Sequence, residues 1–122
     1  MNNSKKTLVI GASANPQRYS YLAINRLSKY GHDVVALGLK PGEVFGVTIE
    51  TEKKHFEDID TVTLYINPRR QPEYYDYIMS LHPKRIIFNP GTENDELWAL
   101  AKANGIRPQE ACTLVLLSTG QY

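Results

Sequence analysis

Cysteine is almost absent from this 122-residue sequence, and long apolar runs are missing altogether. The single cysteine, Cys112, cannot form an internal disulfide, and residues 1–6 are polar with no apolar stretch behind them of the kind a secretion signal carries. Apolar runs such as residues 8–10 and 114–117 are far shorter than the roughly 18 residues that a membrane-spanning helix needs. These absences exclude a membrane protein and indicate a reducing, cytoplasmic location.

An excess of one charge is also missing, since 14 lysines and arginines face 13 acids and leave a formal net charge of +1. Such a balance creates no overall field that would attract nucleic acid or an anionic membrane. Any bound anion must therefore be held by a local group of residues. The length fits one domain over residues 1–122, so we expect a single fold to carry whatever function the chain has.

Short β-branched runs alternate with longer segments whose apolar residues recur at helical spacing. The strand-like runs are residues 7–10, 33–37, 61–66, 85–88 and 106–108. Helical stripes lie between them at residues 23–30, 74–79 and 97–101, and Gly31, Pro83 and Gly105 stand where these helices should end. This alternation predicts an α/β fold, a three-layer doubly wound parallel sheet of about five strands in a single domain.

Residues 39–60 fit this pattern less well, because no long helical stripe occurs there. Pro41, Gly42 and Gly46 interrupt the segment. We expect a short extended piece at residues 47–49 and one turn at residues 55–58.

The first loop, after the strand at residues 7–10, combines a glycine turn with the start of a helix near residues 18–20. Gly11 permits a tight backbone turn against a ligand, Ser13 can donate a hydroxyl hydrogen bond, and the free N–H groups of the helix start favour an anion. Arg18 adds a charged fork. The spacing is not G-x-G-x-x-G, so it is a weak dinucleotide fingerprint. A purely structural interpretation, in which Ser13 or Ser20 only caps the helix, stays open.

The second loop, residues 38–42, lacks the acid that an NAD-binding domain places on the ribose hydroxyls. Gly38, Leu39 and Lys40 occupy that place. A lysine suits a phosphorylated ribose better than a free diol, so this loop argues against NAD and permits NADP or coenzyme A. A solvated lysine on a turn is the plainer alternative.

Two further loops begin with Asn-Pro, at Asn67-Pro68 and at Asn89-Pro90. Proline fixes the backbone and holds the preceding residue extended, which gives a rigid rim along which an adenine or a pantetheine arm can lie. Gly91 leaves room for close approach. Taken alone, either Asn-Pro pair can also be explained structurally, as the end of a strand. In the same way, Thr92 with Asp95 is typical of a helix cap. Four loops with binding chemistry at one sheet edge favour a ligand site.

Six segments of the chain also form a familiar combination. They are Gly11-Ala12-Ser13, Asn15-Pro16, Arg18-Tyr19-Ser20, Val44-Phe45-Gly46, Leu64-Tyr65-Ile66-Asn67-Pro68 and Phe88-Asn89-Pro90-Gly91-Thr92-Glu93. Together they closely resemble the small stand-alone CoA-binding proteins, relatives of the N-terminal CoA-binding domain of the succinyl-CoA synthetase alpha subunit. The resemblance covers about residues 6–120. It implies a Rossmann-like domain whose first loop cradles the CoA diphosphate and whose second loop directs its lysine at the phosphorylated ribose.

The resemblance implies a binding site for coenzyme A or an acyl-CoA, with the rims after the third and fourth strands beside the nucleotide and the pantetheine arm. Its residues are Gly11, Ala12, Ser13, Asn15, Arg18, Tyr19, Ser20, Lys40, Ile66, Asn67, Pro68 and Gly91. The first loop lacks the second glycine of the synthetase, a departure shared with the small stand-alone members. We expect no ligase activity, because the chain has no further domain to carry the phosphorylated histidine.

No arrangement for covalent or acid–base catalysis can be assembled from the sequence. His32, His55 and His82 lie outside the predicted binding loops, and their spacing makes neither a metal site nor a Ser-His-Asp order. Cys112 precedes an apolar run, which favours a small core residue over a nucleophile. We therefore expect non-covalent binding of a small nucleotide ligand without catalysis.

Three alternatives stay open. An NADP-dependent oxidoreductase would need a proton donor that the sequence does not identify. A nucleotide-sensing module would bind a protein partner or a second copy of the chain, and a structural domain would leave the cleft without a ligand.

Overall fold

The five predicted strands all occur in the computed structural model, which describes residues 4–122. They lie in one sheet of seven strands with the order β3-β4-β2-β1-β5-β6-β7. The strands are β1 Thr7–Ile10, β2 Val34–Leu37, β3 Gly42–Val44, β4 Val47–Glu50, β5 Thr61–Leu64, β6 Arg85–Phe88 and β7 Arg107–Glu110. All neighbours pair in parallel except β3 and β4, which are antiparallel.

The expected count of about five strands is too low, because residues 39–60 contribute a β-hairpin. The extended piece predicted at residues 47–49 is β4, but its antiparallel partner β3 was not predicted. Phe45 and Gly46 join them with positive φ angles of 50° and 81°, as tight two-residue hairpin turns require. The turn expected at residues 55–58 is an irregular bend rather than a helical turn.

Helices cover both faces of the sheet. They are α1 Tyr19–Lys29, α2 Tyr75–Leu81, α3 Asp95–Ala103 and α4 Thr113–Ser118, and a 3₁₀ turn at Gln71–Tyr74 leads into α2. Gly31 and Gly105 follow the ends of α1 and α3 with positive φ, as predicted. The cap expected from Thr92 and Asp95 is wrong, since Asn94 caps α3 and its side chain accepts from the N–H groups of Glu96 and Leu97.

The core forms two layers, one on each face of the sheet. On one face Leu8, Ile10 and Phe88 pack against α2 and α3, and on the other Val9 packs against Leu27 of α1. All four residues of β1 are fully buried, as in a strand covered on both sides. The three-layer prediction is therefore confirmed. No helix in the described residues is long and apolar enough to span a membrane.

Candidate ligand-binding site

A cleft of about 580 Å³ opens where β1, β2 and β5 end. After β1 the chain continues to β2 on one side, whereas β5 lies on the other, so the winding direction reverses at this point. Ligands of doubly wound sheets bind at such a reversal, and the volume lies within the usual range for ligand pockets. The lining comes from the first loop, the loop after β2 and the loop after β5.

Backbone atoms of neighbouring strands shape the first loop. Gly11 has a φ of +92°, and a Cβ atom there would lie 2.6 Å from the carbonyl oxygen of Tyr65. The N–H groups of Gly11 and Ala12 both donate to the carbonyl of Leu37, at 2.9 and 3.0 Å. A Cβ on Gly38 would collide with the carbonyl oxygen of Ala12. The loop is thus clamped between β2 and β5, and only glycine fits at its closest contacts.

Helix α1 points its N-terminus at this loop without a side-chain cap. Its N-cap residue is Arg18, whose side chain makes no capping hydrogen bond. Ser13 instead uses its Oγ to accept the N–H of Asn15 at 3.1 Å, and the Asn15 Oδ1 accepts the N–H of Gln17 at 3.0 Å. The Ser13 hydroxyl proton therefore remains available for a ligand. The capping interpretation of Ser13 and Ser20 does not hold.

The charged side chains that line the cleft are all of one sign. Arg18, Lys40 and Arg70 line it, and no carboxylate stands among the described residues that form its walls. The helix N-terminus adds a partial positive charge. The cleft therefore favours an anion locally, although the whole chain is almost neutral.

The two Asn-Pro rims differ in their surroundings. Asn67 is exposed and lines the cleft. Asn89 is 2% exposed, and its Nδ2 donates to the Thr63 Oγ1 at 2.7 Å and to the Leu64 carbonyl at 2.8 Å. Its Oδ1 accepts the N–H of Thr113 at 2.9 Å. Asn89 thus connects β5, β6 and α4, and its side chain is engaged in the fold rather than offered to a ligand.

The structure brings most of the predicted site residues together. Those that line the cleft are Gly11, Ala12, Ser13, Asn15, Arg18, Ser20, Lys40, Ile66 and Asn67. Tyr19, Pro68 and Gly91 are not among its lining residues, and the Tyr19 side chain is 70% exposed.

Other lining residues were not among the predicted set. These are Ala14, Gly38, Leu39, Pro41, Tyr65, Arg70 and Tyr74. Ala14 lies inside the first loop, and Gly38, Leu39 and Pro41 lie inside the second, beside the residues that were predicted there. The sequence places Tyr74 on a helical stripe, and nothing in it distinguishes Arg70 from Arg69.

None of the three histidines lines the cleft, and His32 makes contacts within the fold. His32 accepts the N–H of Lys5 at its Nδ1, at 2.9 Å, and its ring lies 4.8 Å from that of Tyr122. Burial lowers the pKa of His32, as do the nearby charges of Lys5 and Arg85. His55 and His82 are exposed and lie away from the cleft walls. The described residues contain no group of three or more His, Cys, Asp or Glu placed to hold a metal ion.

Comparison with solved structures identifies similar folds. A crystal structure titled as an uncharacterized protein is 54% identical, with a TM-score of 0.96 over 99% of this chain and 100% of that one. A hypothetical protein from Pyrococcus horikoshii OT3 is 25% identical, with a TM-score of 0.86 over 96% of this chain and 84% of that one. A search of curated proteins finds no match.

A larger enzyme contains the same fold. The dinucleotide forming acetyl-coenzyme A synthetase 1 of Ca. Korarchaeum cryptofilum is 19% identical, with a TM-score of 0.72 over 87% of this chain but only 25% of the enzyme. At this identity the likeness shows the fold alone. The family model described as CoA binding domain matches residues 5–118, nearly the whole sequence. Together with the Rossmann-like sheet and the anion-favouring cleft, this match shows that the chain belongs to the CoA-binding domain family.

Proposed function

We propose that the cleft binds coenzyme A or an acyl-CoA non-covalently, with the diphosphate at the first loop. The observation that carries the proposal is the N-terminus of α1, which has no side-chain cap and faces a loop lined by Ser13 and Arg18. Unsatisfied N–H groups at a helix start are a ready anion site. Family membership supports coenzyme A as the source of that anion.

The strand order supports a placement for the rest of the ligand. Lys40 ends up on the β2 side of the first loop, where the ribose of a bound nucleotide lies in doubly wound sheets. Its ammonium would pair with the ribose phosphate of CoA. Ile66 and Asn67 lie on the β5 side, where the exposed rim would flank the pantetheine arm. Pro68 and Gly91 would extend this rim beyond the cleft walls.

We further propose that the chain performs no reaction alone. The cleft walls carry the cations Arg18, Lys40 and Arg70, which attract anions, together with Tyr65 and Tyr74. Burial raises the pKa of both tyrosines above the usual value, so both stay neutral near pH 7. Ligand recognition would therefore be the activity of this domain.

Titration calorimetry with CoA, acetyl-CoA, NADP and ADP tests this proposal. We expect CoA or acetyl-CoA to bind more tightly than NADP and ADP. Tight NADP binding with weak CoA binding would support the oxidoreductase alternative instead. Equal affinity for ADP and CoA would show that the pantetheine arm is not recognised, which would favour a nucleotide-sensing module.

A further inference from the structure

Arg70 is a cation of the cleft wall that the proposed function assigns to no group of the ligand. It lies on the loop after β5 and lines the cleft, and its side chain is 34% exposed. Its neighbour Arg69 is exposed and stands outside the lining residues. Two identical side chains, adjacent in sequence, are thus placed in different environments by the fold.

Hydrogen bonds on both sides fix the backbone of Arg70. Its N–H donates to the carbonyl oxygen of Asn67 at 3.1 Å and to the Asn67 Oδ1 at 3.2 Å. The next residue, Gln71, is fully buried, and its Nε2 donates to the carbonyls of Ile66 and Thr92 at 3.1 and 2.7 Å. Arg70 therefore leaves the loop from a rigid base, which lowers the entropy cost of binding through it.

The guanidinium of Arg70 is oriented but keeps its donors. Its Nε lies 3.7 Å from the Oε1 of Glu73, which is beyond hydrogen-bond distance. Glu73 is 54% exposed, so the pair is weak in solvent. An arginine has five N–H donors in a planar fork that matches two phosphate oxygens. A phosphate in the cleft can therefore displace Glu73 at little cost.

We propose that Arg70 binds the diphosphate of the ligand from the β5 side of the first loop. This inference rests on the proposed function. Lys40 follows β2 and Arg70 follows β5, with β1 between them, so their strands lie two spacings or about 10 Å apart. We assign the two cations to different groups of one ligand, because they enter the cleft from opposite sides of the first loop. Lys40 takes the ribose phosphate, and the diphosphate is the charged group left for Arg70, because the pantetheine arm has no charge.

Calorimetry on Arg70→Ala, with Arg69→Ala as the matched control, tests the assignment. The ligands are CoA, dephospho-CoA, which lacks the ribose phosphate, and pantetheine, which lacks all phosphates. Arg70→Ala should lower the affinity for CoA and for dephospho-CoA by the same factor, roughly 10- to 100-fold, as expected for the loss of a charged hydrogen bond. Arg69→Ala should change either affinity by less than about twofold, which is ordinary for a surface charge. Pantetheine affinity should not respond to either variant.

Lys40→Ala provides the contrast, because it should lower the affinity for CoA much more than the affinity for dephospho-CoA. Glu73→Gln should raise the affinity for both ligands by about two- to fivefold, since it removes a carboxylate that competes weakly for the Arg70 guanidinium. Arg70→Lys keeps the charge and should retain part of the affinity. Thermal unfolding of each variant separates lost binding from lost folding.

Two results would overturn the inference while leaving the proposed function intact. One is tight CoA binding by the wild type with equal affinities in the Arg70 and Arg69 variants. The other is an Arg70 effect that vanishes with dephospho-CoA, which would move Arg70 to the ribose phosphate. Failure of the wild type to bind CoA would instead overturn the proposed function itself.

Discussion

Replacing Gly11 by alanine should destabilise the protein through the same contacts that shape the first loop. The new Cβ would lie 2.6 Å from the carbonyl oxygen of Tyr65 and 2.8 Å from the Cγ2 of Ile66. Real Cβ atoms do not approach a backbone so closely, so β1 and β5 would have to separate locally. The backbone at Gly11 also has a φ of +92°, which side-chain-bearing residues seldom adopt.

The magnitude combines these two costs. The positive φ costs about 1–2 kcal/mol for a residue with a Cβ. Forcing an extra methyl group into a packed site costs a further 1–3 kcal/mol or so. The sum of about 2–5 kcal/mol is a large part of the roughly 5–15 kcal/mol that stabilises a typical domain. Urea unfolding followed by circular dichroism measures it directly.

Gly91→Ala is the matched control for this measurement. Gly91 has almost the same φ, +91°, but a Cβ there would meet nothing within 4 Å. It should therefore cost only the conformational part, about 1–2 kcal/mol. Equal free energies of unfolding for the two variants would refute the claim that the first loop is clamped against β5.

Other predictions test the anion site, the buried amide and the pH response. Ser13→Asp should abolish CoA binding in calorimetry while the unfolding midpoint is kept, because a carboxylate there repels phosphate; unchanged affinity would remove the first loop from the diphosphate site. Asn89→Ala should lower the free energy of unfolding by about 2–4 kcal/mol in urea titrations, since it leaves several buried partners unpaired. Burial and the charges of Lys5 and Arg85 hold the pKa of His32 below 6.5 in the folded state. The unfolded chain thus takes up the proton first, and stability present above pH 6.5 should fall as the pH drops below it. His32→Gln should flatten that pH dependence in thermal unfolding.

The central strands could be predicted because strands buried on both faces consist mostly of apolar and β-branched residues. Residues 7–10 and 85–88 are apolar or β-branched nearly throughout and match β1 and β6 without error. Strand β3 was missed because it has only three residues and lies at the sheet edge, so the sequence predicts only the β4 part of the hairpin. Only Val44 and Ile49 in it are deeply buried, at 1% and 2% exposure. An edge hairpin held by two apolar side chains leaves little periodicity to detect.

Cleft residues could be predicted from the sequence where loop composition marks them. They could not be predicted where only the tertiary packing decides whether a side chain reaches the cleft. Gly11, Ser13 and Lys40 could be selected from loop composition alone. The two Asn-Pro pairs carry the same local signal, yet Asn67 faces the cleft and Asn89 is buried in a hydrogen-bond network. Which asparagine side chain is buried depends on the contact of α4 with β5 and with the end of β6, and no local pattern encodes that contact.

The departure of the first loop from G-x-G-x-x-G has a structural reason. In that fingerprint the second glycine admits the pyrophosphate, and the third permits close packing of the helix on the strand. Here α1 begins only at Tyr19, three residues beyond Pro16, which stands in the third glycine's place, so that position precedes the helix. Between residues 11 and 20 only Gly11 has a positive φ. The longer loop therefore needs no glycine conformation at the second place, and under the proposed function the Ser13 hydroxyl would donate to the phosphate.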